Sequence, residues 1–126
     1  MDIAFNSYGL AYTVNSLFPL TFHSSGVGTA WVARHLLEAR TLDEAIARAT
    51  NKRASTAMSY NLADIATRRM IQLEADSRGR HGVHEVDGPY FHANLFRHLD
   101  TPQFQEASSD HRTARWEEMK PNSVKG

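Results

Sequence analysis

Between Thr29 and Ala49 the apolar residues of this chain recur every three to four positions, and from Ala57 onward they recur every two. That change of period separates a helical part from a strand part. In the first, Val32, Leu36 and Ala39 predict a helix over 29–39, with Arg34 and Glu38 on another of its faces. Thr41-Leu42-Asp43-Glu44 fits a capping box, and Leu42, Ala45, Ile46 and Ala49 give the stripe of a second helix, packed on the first at a tight corner. In the second part, 57–65, 69–75, 80–86 and 89–94 predict successive antiparallel strands, separated by 66–68, 76–79 and Asp87-Gly88. Asp87-Gly88 reads as a two-residue type I′ loop, with positive φ at both positions. That hairpin would put Tyr90, His92 and Asn94 on one face of the last strand and Phe91 and Ala93 on the other.

The ends complete the outline. A strand stub at 3–5 meets a turn at Asn6-Ser7-Tyr8-Gly9, where asparagine supplies side-chain hydrogen bonds and glycine a positive φ. In the strand 10–18, Leu10, Tyr12, Val14, Ser16 and Phe18 share one face, and Ala11, Thr13, Asn15 and Leu17 share the other. Neither face is strongly polar, so both are expected to be covered, and Pro19 closes the strand. Ser108-Ser109-Asp110 offers N-caps for a helix to Met119, and 121–126 reads as a tail. The order strand, two helices, four strands, helix predicts an α+β fold with antiparallel sheets. The expectation is one domain over 1–120, with two sheet portions and the first two helices on one outer face.

Composition narrows the partners. The 126 residues carry 14 basic and 14 acidic side chains. No long-range field therefore favours nucleic acid or an anionic membrane, and neither is an expected partner. Cysteine is absent, which leaves no disulfide framework and no thiolate zinc site. The start lacks the basic and apolar regions of a signal peptide, and no apolar run approaches the ~20 residues of a membrane span. An intracellular protein is the default.

Most candidate chemistry has a plainer reading. Gly26-Val27-Gly28-Thr29 could ring an anion with backbone N–H groups, but lacks the third glycine and the βαβ unit of a dinucleotide loop, so a flexible turn into the helix is expected. His81 and His84 fall on opposite faces of a strand and read as solvated; no metal or cofactor is expected. Ser24 or Ser25 with Asp110 and a histidine lacks any strained nucleophile turn. Trp31, Met70, Phe91 and Trp116 read as core, and the 108–119 helix as a mostly solvated face. Asn94 has two readings: a turn cap at a strand end, or an amide donor aimed at a developing oxyanion.

Resemblance bears on that choice. Asn6-Ser-x-Gly9-Leu-Ala, Val14-Asn-Ser-Leu17, Val32-Ala-Arg-His-Leu-Leu-Glu-Ala39, Thr41-Leu-Asp-Glu-Ala-Ile46, Gln72-Leu-Glu74 and Phe91-His-Ala-Asn94 resemble, in order and spacing, the acyl-coenzyme A:6-aminopenicillanic acid acyltransferase family, which includes hydrolases of N-β-alanyl amines. The resemblance implies a partial αββα N-terminal-nucleophile hydrolase sandwich. In such enzymes a precursor cleaves itself before a cysteine, and the freed α-amino group, with an unperturbed pKa of about 8, serves as base for the thiol. It further implies Asn94 as the oxyanion asparagine and Asn15 at the border of the substrate pocket. The expected substrate is a small-molecule amide or acyl-coenzyme A, and the expected protein partner is a missing N-terminal part or second subunit of the same precursor. The family's cysteine belongs upstream of Met1, so an internal fragment or truncated product is expected. Leu95 stands where the family often has histidine. The alternative is a non-catalytic scaffold or partner-binding remnant of the same fold.

Overall fold

A computed structural model describes residues 2–50 and 52–119, so the tail expected at 121–126 lies outside the described residues. The elements run β1 (Asp2–Phe5), β2 (Leu10–Ser16), α1 (Thr29–Leu36), α2 (Leu42–Ala49), β3 (Met58–Asp64), β4 (Arg69–Ala75), β5 (His81–Glu85) and α3 (Ala107–Met119). The fold is α+β. Where two sheet portions are predicted, the described strands make one antiparallel sheet in the order β1-β2-β3-β4-β5. None of the described helices is long and apolar enough to cross a membrane.

Side chains fix the turns. Asn6 Oδ1 accepts the N–H groups of Tyr8 at 3.0 Å and Leu10 at 3.1 Å, and Gly9 adopts φ 87°, which joins β1 to β2 as the sequence predicts. Asp64 and Asp76 do the same for the next two turns, receiving Ala66 N–H at 2.9 Å and Arg78 N–H at 2.8 Å.

The registers set the two faces. Leu10, Tyr12 and Val14 of β2, Tyr60 and Leu62 of β3, and Ile71 and Leu73 of β4 share one face. They form a continuous core with Ala33, Leu36 and Ala39 and with the α2 residues Leu42, Ala45 and Ala49. Tyr12 Oη donates to the carbonyl of Ala33 at 2.8 Å inside this core. Burial pushes the Tyr60 phenol well up, and neighbouring Tyr12 adds to the effect. α1 stops at Leu36 rather than 39 because the N–H groups of Leu37, Glu38 and Ala39 bond three residues back, tightening the last turn. The apolar face is nonetheless as expected, with Val32, Leu36 and Ala39 all buried. α2 is capped by Thr41 Oγ1, which accepts Glu44 N–H at 3.2 Å, while Glu44 reaches back to Arg40 N–H at 2.8 Å.

The other face differs from expectation. Among the described residues helices cover one side of β2, and Ala11, Thr13 and Asn15 on the other remain half-buried. At one end of this face Phe5, Ile65 and Met70 are exposed, so Met70 is not core, and Trp31 on α1 is 73 % exposed and is not core either. Phe91 and Trp116 stack on each other with centroids 5.7 Å apart and are half-buried. The predicted strand 89–94 is irregular chain instead. Neither Asp87 nor Gly88 has positive φ, so the type I′ hairpin is not formed. Val86 N–H still bonds the Met70 carbonyl at 2.8 Å, and the chain then leaves the ladder at Pro89, which has no N–H to give. A long connection, 86–106, crosses part of the open face before α3. Connections of that length without regular structure are uncommon and usually functional.

Candidate active site on the open sheet face

Gln72 and Glu74 alternate with Ile71 and Leu73 along β4, so they point to the face away from the helices, beside Asn61 and Ser59 of β3. All four β4 residues are fully buried. Glu74 is covered by the long connection, whose backbone it binds: Oε1 accepts Arg97 N–H at 2.7 Å, and Oε2 accepts His98 and Leu99 N–H at 2.9 and 2.8 Å. His92 Nε2 lies 2.8 Å from Oε1. Burial alone would push the Glu74 carboxyl up; the bonds from His92 and from the Arg97 and His98 backbones outweigh it and hold the carboxyl below its ordinary value. An ionised carboxylate only accepts, so His92 Nε2 carries a proton and donates. Gln72 Nε2 donates to Ser59 Oγ at 2.8 Å, and Ser59 Oγ lies 3.3 Å from His92 Nδ1. In the neutral imidazole the donors therefore run in one direction, from Gln72 through Ser59 and His92 to Glu74. Gln72 Oε1 is buried with no hydrogen-bond partner among the described residues.

Asn94 follows two residues after His92. Its Nδ2 donates to the carbonyl of Ser16 at the end of β2, 2.9 Å away, and its Oδ1 accepts from Arg112 Nη2 of α3 at 3.0 Å. Its backbone N–H donates to Ser109 Oγ at 3.2 Å. The guanidinium on one side and the carbonyl on the other fix which way the amide points, and beyond the proton used by Ser16 one Nδ2 proton has no acceptor among the described residues. Ser109 is in turn held by Glu106, which accepts both its N–H, at 2.9 Å, and its hydroxyl. Glu106 thus caps α3 from the position before Ala107, where Ser108, Ser109 and Asp110 were the predicted caps.

Asn15 precedes Ser16 and points to the open face, opposite Ser59. It lines a groove of about 430 Å³, with Thr13 and Asn61 on the floor and Tyr90, Phe91 and His92 as a wall. Thr13 Oγ1 accepts from Asn61 Nδ2 at 2.8 Å. Burial pushes the Tyr90 phenol up to about 12, with Arg97 opposing and Glu74 adding. Tyr90 therefore stays protonated and donates to His98 Nε2 at 2.7 Å. His98 stacks on His84 with centroids 4.6 Å apart, and its pKa is lowered chiefly by burial.

The structure thus brings the two sequence-predicted site residues to the same strand end. Asn15 lies on the groove face, and Asn94 is bound to the next residue's carbonyl. The other candidates do not meet at that strand end. His81 and His84 point to opposite faces of β5. Ser24 and Ser25 are exposed before α1, and Asp110 is exposed on α3. The Gly26-Val27-Gly28 segment is pinned rather than flexible: Val27 pairs with Ala54, and a Cβ at Gly26 would come within 2.6 Å of Ser55 Cα. Sequence reasoning passed over Ser59, Gln72, Glu74, Ser109 and Arg112 as site residues. The available signal was two polar residues, Gln72 and Glu74, at alternate positions of a strand that also holds Ile71 and Leu73.

A family model described as acyl-coenzyme A:6-aminopenicillanic acid acyl-transferase matches residues 1–124. No curated protein and no solved structure matches the chain significantly.

Proposed function

Because the chain belongs to the acyl-coenzyme A:6-aminopenicillanic acid acyl-transferase family, we propose that it supplies the oxyanion donor and part of the substrate pocket of a cysteine-dependent amide hydrolase or acyltransferase. The observation that carries this reading is the amide of Asn94, held by Ser16 and Arg112 with one Nδ2 proton to spare, at the strand end where Asn15 enters the groove. The thiol comes from outside these 126 residues, which contain no cysteine. It loses its proton to the α-amino group beside it and adds to the carbonyl carbon of a linear amide or an acyl-coenzyme A thioester. The carbonyl oxygen becomes an oxyanion, and the free N–H of Asn94 donates to it. Collapse expels the amine, which takes the proton, or the coenzyme A thiol. Water or an acceptor amine then attacks the acyl-enzyme by the same route in reverse.

The groove supports a small substrate: its floor presents Asn15, Thr13 and Asn61, uncharged hydrogen-bonding groups, against the aromatic wall of Tyr90 and Phe91. In the family's αββα arrangement a second sheet would lie on the open face, where Phe5, Ile65 and Met70 offer apolar contact. Kinetics on processed enzyme containing both this chain and the thiol test the site. Asn94→Ala should lower kcat roughly 10²-fold or more with KM little changed, because the donor acts on charge that develops only in the transition state. Near-normal kcat with a lower Tm would make Asn94 a structural tie between β2 and α3. It would then leave the scaffold reading in place of the catalytic one.

A further inference from the structure

We propose that Glu74 is the positioning residue for Asn94. Its catalytic meaning rests on the oxyanion reading above; its geometry does not. One carboxylate oxygen, Oε1, receives both His92 Nε2 at 2.8 Å and Arg97 N–H at 2.7 Å. The span from His92 to Arg97 is therefore a loop closed on a single atom, and Asn94 lies inside it. The second oxygen takes the next two N–H groups, of His98 and Leu99. Three consecutive backbone donors of irregular chain, facing a fully buried carboxylate, are satisfied by one charge.

The neighbours make this clamp rigid. Glu74 leaves the middle of a sheet at a position paired with Ser59 on one side and Gly82 on the other. Gly82 has no side chain to hold the loop away: a Cβ there would sit 2.7 Å from the His98 carbonyl oxygen. His92 is fixed at its second nitrogen by Ser59, itself held by Gln72. Glu74 thus sets the height of the 92–97 loop above the sheet. Ser16, Ser109 and Arg112 then fix the rotation of the Asn94 amide at its apex.

Glu74→Gln tests this with almost no change of volume. A carboxamide keeps one acceptor oxygen but turns an NH₂ toward N–H donors, so one side of the clamp opens. Nuclear magnetic resonance on the isotope-labelled full chain reads the outcome without any catalysis. In Glu74→Gln, amide exchange at residues 97–99 should accelerate roughly tenfold or more. The two Asn94 Nδ2 proton resonances should also collapse toward free-asparagine values. His92→Gln, which keeps an N–H within reach of Glu74, should retain the Asn94 signals, and His92→Leu should lose them. Ile71→Val, a control on the helix-covered face, should lower stability and leave them in place. If Glu74→Gln fails to fold, the His92 pair decides. A folded Glu74→Gln or His92→Leu chain with unmoved Asn94 resonances would overturn the proposal. Moved resonances alongside normal kcat in Asn94→Ala would instead remove the oxyanion reading and leave the clamp standing.

Discussion

Asn6 ties the first turn to the helical layer, and removing its side chain should be costly for so small a residue. Its Nδ2 donates to the carbonyls of Leu37 at 3.1 Å and Ala39 at 2.7 Å, where α1 ends, while Oδ1 accepts Tyr8 and Leu10 N–H at 3.0 and 3.1 Å. The site is half-buried, so part of what is lost is regained from water. With a net value of about 0.5–1 kcal/mol for each bond at such a site, Asn6→Ala should cost roughly 2–4 kcal/mol, a fall in Tm of roughly 10 °C. Asn6→Asp separates the two halves of the interaction. It keeps the acceptor for Tyr8 and Leu10 and turns a negative oxygen on the Leu37 and Ala39 carbonyls just after α1, so near pH 7 it should be no more stable than Asn6→Ala. Its folded pKa is raised by that repulsion. Relative to the unsubstituted chain, the deficit should therefore shrink as the pH falls toward about 4, where the carboxyl takes a proton and can donate. Urea titrations of the three chains at several pH values measure both effects. Two results would refute the reasoning: a cost below about 0.5 kcal/mol for Asn6→Ala, or an Asp variant more stable than the Ala variant at neutral pH.

Acid should unfold the chain through two further groups. His98 has a lowered pKa, so its contribution is complete above the ordinary value of 6.5 and is lost as the pH falls from there through the folded value. Glu74 is also lowered, so its contribution is complete above 4.5 and is lost only below that. In pH-dependent denaturation, His98→Phe should remove the first loss and keep the second; an unchanged slope between about pH 7 and pH 5 would contradict this. Gly82→Ala should cost about 1–3 kcal/mol and displace the 97–99 segment, because the new methyl group meets the His98 carbonyl. Calorimetry together with the Arg97 to Leu99 amide shifts would check it, and a stable chain with unmoved shifts would count against the close approach.

The sequence by itself determined the elements whose cause is local. The 3.6-residue stripe of α2 and its Thr41 cap, the Asn6 and Gly9 turn, and the strand 69–75 are all found where the pattern puts them. So is the fold class, because element order and antiparallel turns leave few ways to arrange the layers. The alternation of β2 named the two faces, and placed Asn15 on the one that carries the groove. The tertiary structure decided what occupies the open face. Period and turn chemistry made 89–94 a strand. Glu74, remote in sequence, instead binds the backbone at 97–99 and the ring of His92, and no ladder forms. Likewise Trp31 and Met70 are core by residue type and exposed by position, since nothing described covers that part of α1 or that end of the sheet. Asn94 was visible as a polar residue at a segment end. Its orientation was not, because the carbonyl of Ser16 and the guanidinium of Arg112 reach it from 78 and 18 residues away. Local periodicity is written in neighbouring residues. The aim of the half-buried Asn94 amide is set by hydrogen bonds whose partners become neighbours only after folding.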